Sequence, residues 1–321
     1  MMRIPPKAWL GFILLALGGA LLWAKFMYPQ FRMLRLAIDR PQAVARADEY
    51  LRMRGVDSRG FLRACVFESD DQADRFLQKS IGPAAEEAFL ARHRYELFSW
   101  NVRFFKPLQK EEYDVTISPS SGEVIGFEHV IEETARIPFL PKEEARLKAE
   151  QFLKDSLAVK LGEYDFHEDK ERRLDNRTDY VFTWEKRGVH VPWPGHEGQA
   201  KLLASVRVSG DQISAFYEYD LDVPDSFLRY CRKERAQAGV LFACNMIVIL
   251  VLTGISSYLA FKMRSYTELH LVMRWYLAVA IFLIVVRVLS FLNSIPEMLF
   301  GYLTSSSLQA YVSTYALNSL I

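Results

Sequence analysis

From Ala236 to Phe261 the chain reads "AQAGVLFACNMIVILVLTGISSYLAF", without one charged side chain. As a helix this run is amply long to cross roughly 30 Å of hydrocarbon. Inside lipid only helices and closed barrels satisfy their own backbone groups, so a membrane helix is predicted over residues 236–261. Everything else in the 321 residues must fold around that span.

Three weaker runs accompany it. At the N-terminus Arg3 and Lys7 precede an uncharged stretch from Ala8 to Ala24, and Lys25 with bulky residues follows where a signal peptide would carry a small-residue cleavage site. Residues 1–27 therefore read as an uncleaved anchor. Residues 271–292 read as a further membrane helix, apolar from Trp275 to Leu292 except for Arg287, which lies near enough to the end of its span for the side chain to snorkel to the interface. Residues 295–321, containing "GYLTSSSLQAYVSTYALNSLI", are too polar for a free-standing span and read as a partial membrane or reentrant segment.

Charge sets the orientation. The short loop between the second and third spans holds Lys262, Arg264 and Arg274 against Glu268, and with Arg3 and Lys7 it argues for the cytoplasmic side. Basic residues flanking the soluble part, such as Arg32, Arg35, Arg232 and Arg235, pull the other way. A long domain translocates largely regardless of its charge, so the region Tyr28 to Arg235 is expected outside the cytoplasmic membrane of a multi-pass protein. The lipid bilayer is thus the first expected partner. Lys plus Arg number 40 against 39 Asp plus Glu, so no net field favours nucleic acid. Cys65, Cys231 and Cys244 form no C-x-x-C pair and no disulfide framework, and read as structural.

Between the spans a pattern recurs. "RPQAVARADEYLRMRG" places Val44, Ala47, Tyr50 and Leu51 at helical spacing and stops at Gly55. "GFLRACVF" reads as a strand, "DDQADRFLQKSIG" and "AAEEAFLARHR" as helices, and "FSWNVRFF", "EEYDVTIS" and "EVIGFEHVI" as strands, the last two joined by a turn at Pro119 to Gly122. "LPKEEARLKAEQFLKDSLA" then repeats the helical spacing with Ala149, Phe152 and Leu153, followed by "YVFTWEKRG", "LLASVRVS" and "GDQISAFYEYDL". Trp184 answers Trp100, Gly210 answers Gly122 and Phe216 answers Phe127. The expected fold is an α+β tandem repeat, residues 28–136 and 137–235, each a helix on an antiparallel sheet, set between the anchor and a C-terminal α-helical membrane region.

The hairpin "V-x-I-S-P-x-S-G-E-V-I-G-F" from Val115 to Phe127, and more loosely Val206 to Phe216, resembles the PepSY domain. That resemblance implies extracytoplasmic modules that inhibit or regulate peptidases. The whole order of anchor, two PepSY-like units with "FKPLQKEEYDV" and "DNRTDYVFTWEK", and membrane helices is similar to the N-terminal half of bacterial CPBP-family intramembrane proteases, relatives of the type II CAAX prenyl endopeptidases. It implies a region that regulates the protease or recruits a peptide or membrane-protein substrate. The catalytic Glu-Glu-x-x-x-Arg and Phe-x-x-x-His motifs of that family are not placed on membrane helices here, since Glu143, Glu144 and Phe89 to His93 fall in soluble segments. The chain is accordingly expected to be a fragment or to have its catalytic half elsewhere, with no cofactor of its own and any metal ion in that absent region. A stand-alone membrane-anchored sensor or assembly protein without catalytic activity is the alternative.

Trp100, Phe104, Phe127, His129, Trp184 and Phe216 are candidates for a peptide-binding groove, against the plainer reading that strand aromatics fill a core. His190 and His196 sit in the Pro/Gly-rich "GVHVPWPGHEGQ", read as an inserted loop, where a shared metal needs a third ligand that is not apparent. Asn176 in "NRT" reads as a chance acceptor motif. "HEDKERRLD" reads as a solvated loop or face.

Overall fold

The computed structural model describes residues 6–27, 34–157, 159–263 and 269–320. Arg3, Arg32, Arg264 and Glu268, on which part of the orientation argument rests, lie outside the described residues. Helix α1, Pro6–Met27, covers the expected anchor. Asp39 then starts α2, Arg40–Met53, through a reciprocal capping box in which Asp39 and Gln42 exchange two hydrogen bonds of 2.9 Å. Strand β1, Leu62–Ser69, leads into two helices, α3 (Asp71–Ile81) and α4 (Pro83–His93), before β2 (Phe98–Phe105), β3 (Glu112–Ile117) and β4 (Val124–Val130). The second half has α5 (Lys142–Ser156), β5 (Tyr164–Arg173), β6 (Thr178–Pro192), β7 (Gln199–Ser209) and β8 (Gln212–Asp222).

All eight strands form one antiparallel sheet in the order β1-β2-β3-β4-β8-β7-β6-β5. Each half is a four-stranded meander, and the halves meet last strand to last strand. The seam is short, pairing Gly126 with Tyr217, Phe127 with Phe216 and Glu128 with Ala215. On one face α2 buries Ala43, Ala47 and Leu51, and α5 buries Ala145, Ala149 and Leu153. Two small residues and a leucine at successive i, i+4 positions let each helix lie close to the sheet. Beneath them Val102, Phe104, Val115, Phe127, Phe182, Trp184, Val206 and Phe216 make one continuous core across the seam.

A second core forms where α3 and α4 meet the ends of β6, β7 and β8, around Phe76, Leu77, Trp193, Leu202 and Leu221. Helix α6, Asp225–Met263, starts inside that core with Phe227 fully buried and Cys231 nearly so. It runs unbroken through the charged residues Arg229 to Arg235 into the apolar run, so the boundary drawn at Arg235 falls inside one helix. From Arg235 to Leu259 every side chain is exposed. Helix α7, Leu269–Phe300, is likewise exposed from Leu277 to Ser290. Both are long and apolar enough to cross a membrane, while the apolar part of α1, Ile13–Trp23, is shorter. A helix apolar all round, with nothing of its own chain against it, has its driving force for burial unspent.

Three local expectations gain detail. The start of residues 295–321, expected as a partial membrane or reentrant segment, lies against the sheet: Met298 and Tyr302 are buried, the latter with Ala64 and Phe105, and α8 (Leu308–Leu320) follows. "HEDKERRLD" forms most of β5, an edge strand whose side chains are largely solvated. Dense charge on an edge strand blunts sheet-to-sheet association, which explains a strand without apolar alternation. His190 belongs to an extension of the β6–β7 hairpin, pairing with Lys201, and not to an inserted loop.

Candidate functional site

The β3–β4 turn builds the clearest recess. Gly122 takes φ +76° there, Ser118 N donates to Glu123 O at 2.9 Å, and Ser121 N donates to Ser118 Oγ at 3.0 Å. The chain entering from α1 is laid over this turn by Ala37 N donating to Pro119 O at 2.8 Å. On the other side α4 ends with Arg94 in the left-handed region, φ 55°, which throws Glu96 back toward the turn. Ser118 Oγ donates to the Glu96 carboxylate at 2.8 Å, and Ser120 Oγ donates to it as well.

Between these pieces opens a cleft of about 380 Å³, floored by Leu97, Phe98 and Ile125 and closed by Glu218 and Tyr219 of β8. Glu218 makes no hydrogen bond or ion pair of ordinary geometry among the described residues; burial raises its pKa, against the pull of Arg94, and Glu123 and Glu96 add to the rise. The Tyr219 hydroxyl is buried beside the Glu96 backbone without a hydrogen bond of ordinary geometry, and burial raises its pKa too. The lining thus combines four glutamates, Glu87, Glu96, Glu123 and Glu218, with two arginines, Arg35 and Arg94, beside apolar side chains. Three serines line the cleft: Ser118 and Ser120 donate to Glu96 and Ser121 donates to Glu123, and no histidine is among the described lining residues.

A second recess of about 430 Å³ lies between the end of β4 and the strands β5 and β6. Its charges are spent internally. Buried Arg177 holds Asp179 at 2.9 Å and the carbonyls of Ile131 and Glu132, and Arg207 holds Glu128 at 2.6 Å. This clamp ties the linker between the halves to the second half.

The groove candidates are corrected by burial. Phe104 is fully buried, and Trp100, Phe127, Trp184 and Phe216 are each less than a tenth exposed, all under α2 and α5. They line no groove because the two helices already occupy the face they point to. His129 lies at the margin of this core, stacked on Tyr113 at 4.3 Å and bonded to Glu111 at 3.0 Å. Burial lowers its pKa, and the Glu111 hydrogen bond only partly restores it. His196 stacks on Trp193 at 5.3 Å and His190 stands 3.7 Å from Glu185. Among the described residues no group of three or more His, Cys, Asp or Glu is placed to hold a metal ion.

The junction with the apolar helices was not foreseen. Arg103, on the sheet face away from α2, donates to Tyr302 O at 2.7 Å and to Phe300 O, where α7 ends. A cation at a helix C-terminus satisfies orphan carbonyls and the dipole together. Glu112 holds Arg103 at 2.7 Å and accepts from Thr304 Oγ1 at 2.8 Å. At the other junction Phe76 of α3 packs on Phe227 of α6 at 5.0 Å, and Arg75 and Lys79 both reach Glu234. Helix α3 thus holds the start of α6, and the sheet holds the end of α7. Compared with family models, curated proteins and solved structures, the chain shows no match.

Proposed function

We propose that the chain is a non-catalytic, membrane-anchored recruiting and regulatory region: a tandem pair of PepSY-like units outside the cytoplasmic membrane that receives a peptide or membrane-protein substrate and presents it to membrane helices. The observation that carries this reading is the double attachment of one domain to two apolar helices, by buried Phe227 on α6 and by the Arg103 clamp on α7. A domain gripped at both points has a fixed height and orientation over the bilayer, which a recruiter needs and a loosely tethered passenger does not. The charged cleft at the β3–β4 turn supplies the docking point.

Duplication is supported by matching detail. Each half is a helix with an Ala-Ala-Leu stripe followed by a four-stranded meander, and each last hairpin turns on a positive-φ glycine, Gly122 or Gly210. Each of those glycines faces an isoleucine from the segment leading into its helix, Ile38 or Ile137. The CPBP intramembrane protease assignment rests on the sequence resemblance. It is tested by the genomic reading frame: continuation into a membrane helix bearing Glu-Glu-x-x-x-Arg upholds it, and a native stop with no such partner gene defeats it. A stand-alone sensor is then the reading that remains. Recruitment itself is tested by the melting temperature of the whole protein in lipid nanodiscs with added candidate peptides. A concentration-dependent rise that Glu218→Arg abolishes supports binding at the cleft; no shift with any peptide contradicts it.

A further inference from the structure

The joint between α3 and α4 holds two acids where water does not reach. Glu86, in the first turn of α4, is 0% exposed, and Asp74 of α3 is 8% exposed. Both Glu86 oxygens lack a partner when the two groups are counted as carboxylates, yet Asp74 is within hydrogen-bonding reach of Glu86. Two carboxylates are both acceptors and cannot bond each other. A proton on one makes it a donor, so the geometry requires a shared proton. Gln78 Nε2 donates to Asp74 Oδ1 at 2.7 Å, and its pull on Glu86 opposes the rise in that group's pKa without cancelling it.

No cation answers the pair. Among the described residues neither acid makes an ion pair; Asp70 and Asp71 at the start of α3 add negative charge, and Arg75 and Lys79 on the same helix turn away to Glu234 of α6. The neighbouring core brings Leu90 of α4, Val189 and Val191 of β6, Trp193 just after it and Phe227 of α6, all uncharged, and Tyr95, whose hydroxyl is taken by Asp70. A negative charge at a helix start gains a little from the dipole, far less than a buried unpaired ion loses.

We propose that Asp74 and Glu86 form a proton-dependent latch: with a proton between them α4 is locked to α3, and removing it loosens α3, the helix on which the base of α6 is seated. The path is short. Asp74 and Gln78 belong to the same helix as Phe76, Arg75 and Lys79, the residues that hold Phe227, Tyr230 and Glu234 of α6. A change in the pH around the folded domain is thereby read at the root of an apolar helix. This inference needs only the contact between α3 and α6 and is independent of what, if anything, the cleft binds.

Burial together with Asp74 raises the Glu86 pKa to about 8 from 4.5. A group that holds its proton more tightly when closed than when open stabilises the closed form fully below about 4.5. It loses that stabilisation as pH climbs to about 8, by up to about tenfold in the opening equilibrium per pH unit. The test is hydrogen–deuterium exchange of the full chain in nanodiscs at pH 5 to 8, corrected for the intrinsic rate. Opening of residues 71–93 is expected to rise tenfold or more beyond any rise in β2 and β7 across that range, and Glu86→Gln is expected to remove that excess. A wild type with no rise localised to α3 and α4, or a Glu86→Gln variant that keeps it, overturns the latch. If Glu86→Gln does not fold, Asp74→Asn carries the same comparison, and the wild-type profile alone still decides the first condition.

Discussion

Phe127 on β4 and Phe216 on β8 face each other across the seam between the two halves of the sheet, their ring centroids 6.3 Å apart. Tyr50 of α2 packs edge-on to Phe127 at 5.4 Å, and Phe152 of α5 meets Phe216 at 5.1 Å. One aromatic cluster therefore joins both helices to both halves. Phe127→Ala or Phe216→Ala should each destabilise by about 3–5 kcal/mol, as buried phenylalanines do. Chemical denaturation of the whole protein in detergent checks this. A loss of peptide affinity at unchanged stability would restore the groove these residues do not form.

Arg103 and Glu112 are both nearly buried, with side chains 11% and 12% exposed. Arg103→Ala leaves Glu112 unpaired and two carbonyls at the end of α7 uncapped, for an expected cost of about 3–5 kcal/mol. Proteolysis between Phe300 and Ser306 should become fast in the variant and stay slow in the wild type. Equal rates would mean that the clamp does not hold α7.

The two turn glycines should differ. At Gly122 an added Cβ meets Ile38 at 3.5 Å and Arg46 Nε at 3.9 Å, both ordinary contacts, so Gly122→Ala carries the left-handed strain alone, about 1–2 kcal/mol. At Gly210 the Cβ would fall 2.5 Å from Ile137 and 2.8 Å from the Pro138 carbonyl. Gly210→Ala is therefore expected to lower the melting temperature further than Gly122→Ala, and the reverse order would show that the Ile137 segment gives way.

Asp114 on the sheet face opposite the helices has one oxygen buried without a partner, and burial lifts its pKa to about 7 from 3.8 despite Arg103 nearby. The folded state binds its proton more tightly than the unfolded chain, so this group's stabilisation is whole below about 3.8 and is lost as pH rises to about 7. The loss should be on the order of a few kcal/mol. Comparing melting temperatures at pH 4 and 7 checks it: the difference should shrink in Asp114→Asn.

Much of the fold was legible because its signals are local. Asp39 and Pro41 start α2, Gly82 ends α3, and the alternation of Tyr113, Val115 and Ile117 marks β3. Strand β5 was not, because a charged edge strand needs one partner and no buried face. The continuity of α6 through Arg229 to Arg235 escaped for a related reason: charge interrupts hydropathy without interrupting a helix. Met298 and Tyr302 carry the same apolar character whether they face lipid or β1, so composition cannot say which surface buries them. The cleft draws Leu34, Glu96, Ser118 and Glu218 from four distant segments, and spacing in the chain holds no trace of it. For the aromatic residues from Trp100 to Phe216 alternation reports a covered face and is silent on whether a ligand or a helix covers it; burial under α2 and α5 favours the core reading set beside the groove.

The central claim is that a sheet lying outside the cytoplasm is held by α6 and α7 crossing the membrane, and site-directed labelling tests it directly. In a Cys244→Ala background, Ser121→Cys on the exposed β3–β4 turn and Lys262→Cys at the far end of α6 are each treated with a membrane-impermeant maleimide in intact and opened cells. The expected result is that position 121 reacts in intact cells and position 262 only after opening. Labelling of both positions in intact cells would show that α6 does not cross, and labelling of 262 alone would place the sheet in the cytoplasm.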